Sequence, residues 1–124
     1  MAKILVLEND PNNANVIHLE LTEQGHNVKT ITTAVLLDIT IEQFKPELIV
    51  MDVLLDHYDG RKLCKNLKSS YNTAHIPILL ITAMMESEIY NLPVFANKVM
   101  LKPFYYYVLS DTVTALLSGN DISL

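Results

Sequence analysis

The apolar positions of the chain fall into two periods. Ile4-Leu5-Val6-Leu7, Leu48-Ile49-Val50-Met51 and Ile78-Leu79-Leu80-Ile81 are unbroken apolar runs, and Lys98-Val99-Met100-Leu101 is a shorter one. Continuous runs of this length read as strands buried on both faces, the habit of parallel sheets. Val28 to Thr32 alternates apolar and polar residues, with Val28 and Ile31 inward, and reads as a shorter strand. Between the strands the spacing changes to three and four. Ala14, Ile17 and Leu21 line one helix face, as do Ala34, Leu37, Ile41 and Phe44 in a second helix. Leu63, Cys64 and Leu67 mark a third, and Leu109, Val113 and Leu116 the last. Punctuation agrees: Asp10-Pro11 is an N-cap followed by proline at the first helical position, and Gly25 closes that helix. Lys45-Pro46 ends the second helix, Asp59-Gly60 is a turn before the third, and Ser118-Gly119-Asn120 stops the last. Ile89 and Leu92 suggest a further helix, but Pro93 forbids a regular one through that point.

Five strands alternating with five helical segments require parallel pairing through right-handed crossovers. The expectation is an α/β fold, a flavodoxin-like doubly wound five-stranded parallel sheet with helices on both faces. With 124 residues and no linker or repeat, residues 1–124 read as one domain with no output domain attached. Such a domain buries about two-thirds of its unfolded surface.

Composition narrows the function. A net charge of −5, with nine basic residues scattered along the chain, argues against direct nucleic-acid binding. No run approaches the ~20 apolar residues of a membrane span, and Met1-Ala2-Lys3 leads straight into a strand, so a cytoplasmic protein with no membrane partner is expected. The single cysteine, Cys64, reads as helix packing. His18, His26, His57 and His75 have no ligand spacing and read as surface or loop residues.

The chemistry sits at strand ends. Parallel strands share a direction, so Glu8 and Asn9 after the first strand, Asp52 at the end of the third, Thr82 after the fourth and Lys102 after the fifth can meet at one edge, where open α/β sheets bind ligands. Carboxylates with an amide oxygen suit a hard cation such as Mg²⁺. A hydroxyl and an ammonium suit the oxygens of a phosphoryl group, and a carboxylate between them can accept that group.

In this order, Glu8-Asn9, Asp52, Thr82-Ala83 and Lys102-Pro103-Phe104, with Asp59-Gly60 after the acceptor strand, the chain resembles the receiver domain of two-component response regulators over essentially its whole length. The resemblance implies that Asp52 takes a phosphoryl group from a histidine kinase or phosphotransfer protein, that Thr82 and Lys102 contact it, and that Glu8, Asn9, Asp52 and the backbone carbonyl of Leu54 surround Mg²⁺. It implies a phosphoacceptor with self-catalysed transfer and hydrolysis at most, not an enzyme, acting on an unidentified downstream protein. The Lys102-Pro103 bond is often cis in this family. The face formed by the Met84–Leu92 segment, the last strand and the last helix would be its partner face, including any homodimer. There are departures. Asn9 replaces the usual second acidic residue, which implies weakly held Mg²⁺. Asp56 is an added carboxylate where the family often has proline; it reads as a loop residue, as Asp10 reads as a cap. Phe95 replaces a glycine, and Val99 replaces the aromatic residue that moves on activation. Tyr105-Tyr106-Tyr107 point three ways, so at least one is exposed, as ordinary partial burial or as a partner patch.

Two rivals stand beside this reading. One is a degenerate receiver that binds proteins without phosphorylation. The other is a flavin or nucleotide enzyme on the same fold, disfavoured because Glu8-Asn9-Asp10-Pro11-Asn12-Asn13 has no glycine and would repel a phosphate chain.

Overall fold

A computed structural model describes residues 1–119. The elements run β1 (Lys3–Leu7), α1 (Pro11–Glu23), β2 (Asn27–Ile31), a 3₁₀ turn (Ala34–Leu36), α2 (Leu37–Phe44), β3 (Leu48–Asp52), β4 (Leu54–Leu55), β5 (Tyr58–Asp59), α3 (Gly60–Ser69), β6 (Ile78–Thr82), α4 (Glu86–Ile89), β7 (Lys98–Leu101) and α5 (Tyr106–Leu117). Five strands form one parallel sheet in the order β2-β1-β3-β6-β7, and β4 and β5 pair separately as an antiparallel hairpin.

The continuous apolar runs are continuous because both faces of the sheet are covered. Leu5, Leu7, Ile49, Met51, Ile78 and Leu80 point to the side of α2 and α3, where Leu37, Ile41, Cys64 and Leu67 meet them. Ile4, Val6, Leu48, Val50, Leu79 and Ile81 point the other way, against Ile17 and Leu21 of α1 and Leu109, Val113 and Leu116 of α5. Val28 and Ile31 are both inward, as expected, but on opposite faces, since Val28 packs with the second group and Ile31 with the first. Asp10 caps α1 by accepting from the Asn12 amide, and Pro11 opens the helix. Lys45 closes α2 in the left-handed conformation, at φ 53°. Cys64 is buried and its thiol is pushed up to about 11 by that burial. Asn120 of the expected stop signal lies outside the described residues.

Three features differ from the sequence reading. The stretch after β3 is a hairpin, turned by Asp56 and by His57 at φ 61°. The start of the second helical pattern is a 3₁₀ turn, with Thr33 accepting from the Val35 amide. The segment before β7 holds a single helical turn, α4. The side chain of Arg61 takes the carbonyls of Glu88 and Ile89 at the end of that turn, and Pro93 follows.

The switch point of this sheet lies between β1 and β3, where successive crossovers run in opposite directions, and ligands of doubly wound sheets bind at that place. α3 is pressed against it. The Gly60 amide donates to the Val53 carbonyl at 2.8 Å. A Cβ on Gly60 would overlap the backbone carbonyl oxygen of Asp52 and lie 2.9 Å from the Val53 Cα. Because those obstacles are backbone, Gly60→Ala should lose roughly 1–3 kcal/mol, as overpacked cores do. Urea denaturation should show a lowered midpoint at unchanged slope. An unchanged midpoint would contradict the close approach.

Candidate active site

Glu8 follows β1, Asp52 ends β3 and Lys102 follows β7, and the structure brings the three into direct contact. Lys102 Nζ lies 2.6 Å from Glu8 Oε1 and 2.6 Å from Asp52 Oδ2. Glu8 is 1% exposed and Asp52 4%. Backbone ladders hold all three ends: the Glu8 amide donates to the Ile31 carbonyl, Val53 to Ile81 and Lys102 to Thr82. The second oxygen of Asp52 accepts from the Leu54 amide at 3.0 Å, and that of Glu8 from the Asp10 amide at 3.4 Å. The peptide bond between Lys102 and Pro103 is cis.

Two buried carboxylates share one ammonium, so one negative charge is left over at the switch point. Burial pushes the Glu8 carboxyl up, its bond to Lys102 pulls it down, the charge of Asp52 pushes it up again, and it ends raised. Burial works to lower the Lys102 ammonium, but the bonds to Asp52 and Glu8 outweigh it and hold it above the ordinary lysine value.

The other expected residues stand around this triad. Asn9 is half-buried, and its Nδ2 donates to Asp56 Oδ1 at 3.3 Å. Asp56 is an exposed turn residue, as read, yet it lies against the mouth of the site. Thr82 is fully buried one residue beyond Ile81, the register partner of Asp52, and its hydroxyl oxygen accepts from the Met84 amide at 3.0 Å. Leu54 opens the hairpin directly after the acceptor strand. The donor set suits Mg²⁺: two carboxylates and neutral amide and carbonyl oxygens, all hard ligands, beside an uncompensated negative charge. Among the described residues no three His, Cys, Asp or Glu side chains are grouped for a metal, and Glu8 and Asp52 are the two buried carboxylates of the site. His18 bonds to Thr30 and His26 accepts from the Ala2 amide, while His57 and His75 are exposed. A cavity of about 340 Å³ opens beside Lys102, lined by Asn13, Ile17, Ala83, Phe104 and Tyr106 among others.

Arg61, the residue after the Asp59-Gly60 turn, has a side chain only 7% exposed, with each of its three nitrogens hydrogen-bonded. A signal existed in the sequence. Arg61 precedes Cys64 and Leu67 by three and six residues, which places it on the buried stripe, and Asp59 stands two residues before it. The guanidinium beside Asp59 holds that carboxyl below its ordinary range.

Lys102→Met should leave two buried carboxylates facing each other. Breaking a buried pair costs about 3–5 kcal/mol; with the ammonium 20% exposed, a loss nearer 2 kcal/mol is expected at neutral pH. In the variant, Glu8 loses the bond to Lys102 that pulls its carboxyl down while burial and the charge of Asp52 still push it up, so the folded state holds more protons. Its stability should be highest below the ordinary carboxylate range and fall as pH rises. Urea midpoints at several pH values test this. A deficit independent of pH would contradict the assigned contacts.

Comparison with known proteins agrees with this geometry. The family model of the response regulator receiver domain matches residues 4–114. The chain is 28% identical over 123 residues to the DNA-binding dual master transcriptional regulator RpaA of Synechocystis, across 98% of this chain and 51% of that protein. It is 31% identical over 123 residues to the alkaline phosphatase synthesis transcriptional regulatory protein PhoP of Bacillus subtilis, across 98% and 50%. The chain thus spans about half the length of these curated relatives. Among solved structures it is similar to the signal receiver domain of a histidine kinase from Syntrophus aciditrophicus, with TM-score 0.89, 28% identity and coverage of 100% and 96%. A two-component response regulator from Clostridium difficile gives TM-score 0.84 and 26% identity, with coverage of 95% and 97%. Acidic groups from β1 and β3 joined by the lysine after β7, on a sheet of this order and under a family match spanning all three, mean that the chain belongs to the response regulator receiver domains of two-component systems.

Proposed function

We propose that this receiver accepts a phosphoryl group on Asp52 from a histidine kinase or phosphotransfer protein, and signals through phosphorylation-dependent contacts with separate proteins. The observation that carries the proposal is the Lys102 ammonium bridging Glu8 and Asp52 at 2.6 Å each. In the transfer an Asp52 oxygen attacks phosphorus, the O–P bond forms as the P–N bond of the donor phosphohistidine breaks, and the electron pair leaves with the imidazole nitrogen. Lys102 releases the Asp52 oxygen and donates to a phosphoryl oxygen. Thr82, held by its bond to the Met84 amide, supplies a hydroxyl on the neighbouring strand end. Bound among Glu8, Asp52, Asn9 and the Leu54 carbonyl, Mg²⁺ would neutralise charge gathering on the phosphoryl oxygens. The receiver domain of the sensor kinase PA1611 from Pseudomonas aeruginosa holds magnesium in its cleft; at 24% identity it is a likeness of fold, and the case for the cation here is the donor set. The chain would carry out no turnover beyond self-catalysed transfer and hydrolysis, and a histidine-kinase or phosphotransfer partner would place it in the cytoplasm.

The partner face is that of the Met84–Leu92 segment with β7 and α5. Tyr105 and Tyr107 are 73% and 64% exposed with their rings stacked, Tyr106 sits edge-on to Phe104, and Phe95 and Leu101 are exposed nearby in sequence. Exposed aromatic side chains suit an interface, and a homodimer there would be two-fold. A second reading, a receiver that binds partners without phosphorylation, draws on the Asn9–Asp56 bond and on Val99 in place of an aromatic residue.

Incubation with acetyl phosphate and Mg²⁺, followed by intact mass, separates the two. One phosphoryl addition is expected, lost in Asp52→Asn; no addition, or addition persisting in that variant, would overturn the proposal. Asn9 leaves the cation one carboxylate short. Changes around metal ligands commonly cost roughly 10–100-fold in affinity, so Asn9→Asp should tighten Mg²⁺ by about tenfold or more in calorimetric titration. Equal affinities would mean that Asn9 does not touch the metal.

A further inference from the structure

We propose that Arg61 is a positioning residue that ties the acceptor loop to α4, so that the state of Asp52 is read out at the surface carrying Tyr90. The proposal rests on the phosphoacceptor reading above and goes beyond it.

The guanidinium is bonded at both ends. Toward the acceptor loop, Nε donates to Asp59 Oδ1 at 3.1 Å and Nη2 to Asp59 Oδ2 at 2.7 Å, a two-point grip on one carboxylate. Toward α4, Nη1 lies 2.8 Å from the Ile89 carbonyl, 2.8 Å from Asn91 Oδ1 and 3.3 Å from the Glu88 carbonyl. A planar cation with five donors in fixed directions can hold both sets together; an ammonium on a flexible stem cannot.

Each end meets a different kind of structure. The near end is rigid. Asp59 pairs with Leu54 in the hairpin that follows Asp52, the Gly60 amide is bonded to Val53, and Gly60 leaves no room for a Cβ against the Asp52 carbonyl. A shift of the Asp52 backbone has no slack before Arg61. The far end is soft. α4 is one turn, residues 85–88, 90 and 91 are exposed, and Ile89 is its buried anchor. Short, exposed segments with one apolar anchor open at low cost. The contacts of Arg61 end beside that anchor, and Tyr90, the next residue, is exposed. Val99 leaves no aromatic ring to move at its position on β7, whereas the Arg61 link runs through α3 and does not involve β7.

The test is hydrogen exchange on the full chain, unmodified and after acetyl phosphate with Mg²⁺, comparing wild type with Arg61→Met, Arg61→Lys and Asn91→Ala at equal phosphoryl incorporation read by intact mass. Methionine keeps the length and apolar stem, so the domain should fold. Removing hydrogen bonds to a charged group should speed exchange across residues 86–92 by about tenfold or more in unmodified Arg61→Met. The reciprocal effect should appear at the Leu54 and Gly60 amides, also in Asn91→Ala, while β1, β3 and β6 are unaltered. On phosphorylation, exchange across residues 86–92 should change in wild type and not in Arg61→Met. Arg61→Lys should behave like the methionine variant, because charge alone does not bridge the two sites. A phosphorylation-dependent change of equal size in Arg61→Met, or Leu54 and Gly60 amides indifferent to Asn91→Ala, would overturn the link. Failure of wild type to gain a phosphoryl mass would instead overturn the acceptor reading, and with it the signal that Arg61 is proposed to carry.

Discussion

One ammonium between two buried carboxylates is the constraint from which the rest of this site follows. Glu8 and Asp52 leave β1 and β3 at the switch point of the sheet, where almost no water reaches them. Such groups are tolerable only when paired. Lys102 is the pair for both, which obliges the edge strand β7 to deliver the residue just past its end across β6 to the centre of the sheet. The ladder bond from the Lys102 amide to the Thr82 carbonyl makes that delivery. The arrangement is under-neutralised by one charge, and on the proposed function that deficit would be met by a cation while Lys102 exchanges its carboxylate partner for a phosphoryl oxygen.

Much of this was legible in the sequence because it depends on short-range pattern. Runs such as Leu48–Met51 are apolar at every position only if both faces are covered, and that fixes a parallel sheet, which in turn sends Glu8, Asp52, Thr82 and Lys102 to a common edge. Asp10-Pro11 declared a helix start for the same local reason. The illegible parts depend on contacts between distant segments. Nothing in Leu54–Asp59 announces a hairpin, because its turn, Asp56-His57, lacks the glycine that usually marks one. The shortness of α4 reflects Pro93 together with an arginine 27 and 28 residues away in sequence that takes its last carbonyls. Arg61 itself had a local clue, a charge on the buried stripe of α3, whose partner the sequence did not identify.

The departures of this chain are consistent with one another. Asn9 is a neutral amide where the resemblance leads one to expect a second acidic residue, and its amide nitrogen is turned to Asp56, so a carboxylate faces that position from the next loop. Val99 is half-buried against the core on the α2 and α3 side, in place of an aromatic ring free to swing. The route from Asp52 to the surface that this geometry does provide passes through Gly60, Asp59 and Arg61 to α4.

The most direct test of the account is a crystal structure of the protein with Mg²⁺ and beryllofluoride, a non-hydrolysable phosphoryl mimic. The account places the adduct on an Asp52 carboxylate oxygen, Lys102 Nζ moved from Asp52 onto a fluorine, the Thr82 hydroxyl on another, and the metal against Glu8 and Asp52. A site that stays empty at saturating beryllofluoride, with Lys102 still bridging the two carboxylates, would contradict it.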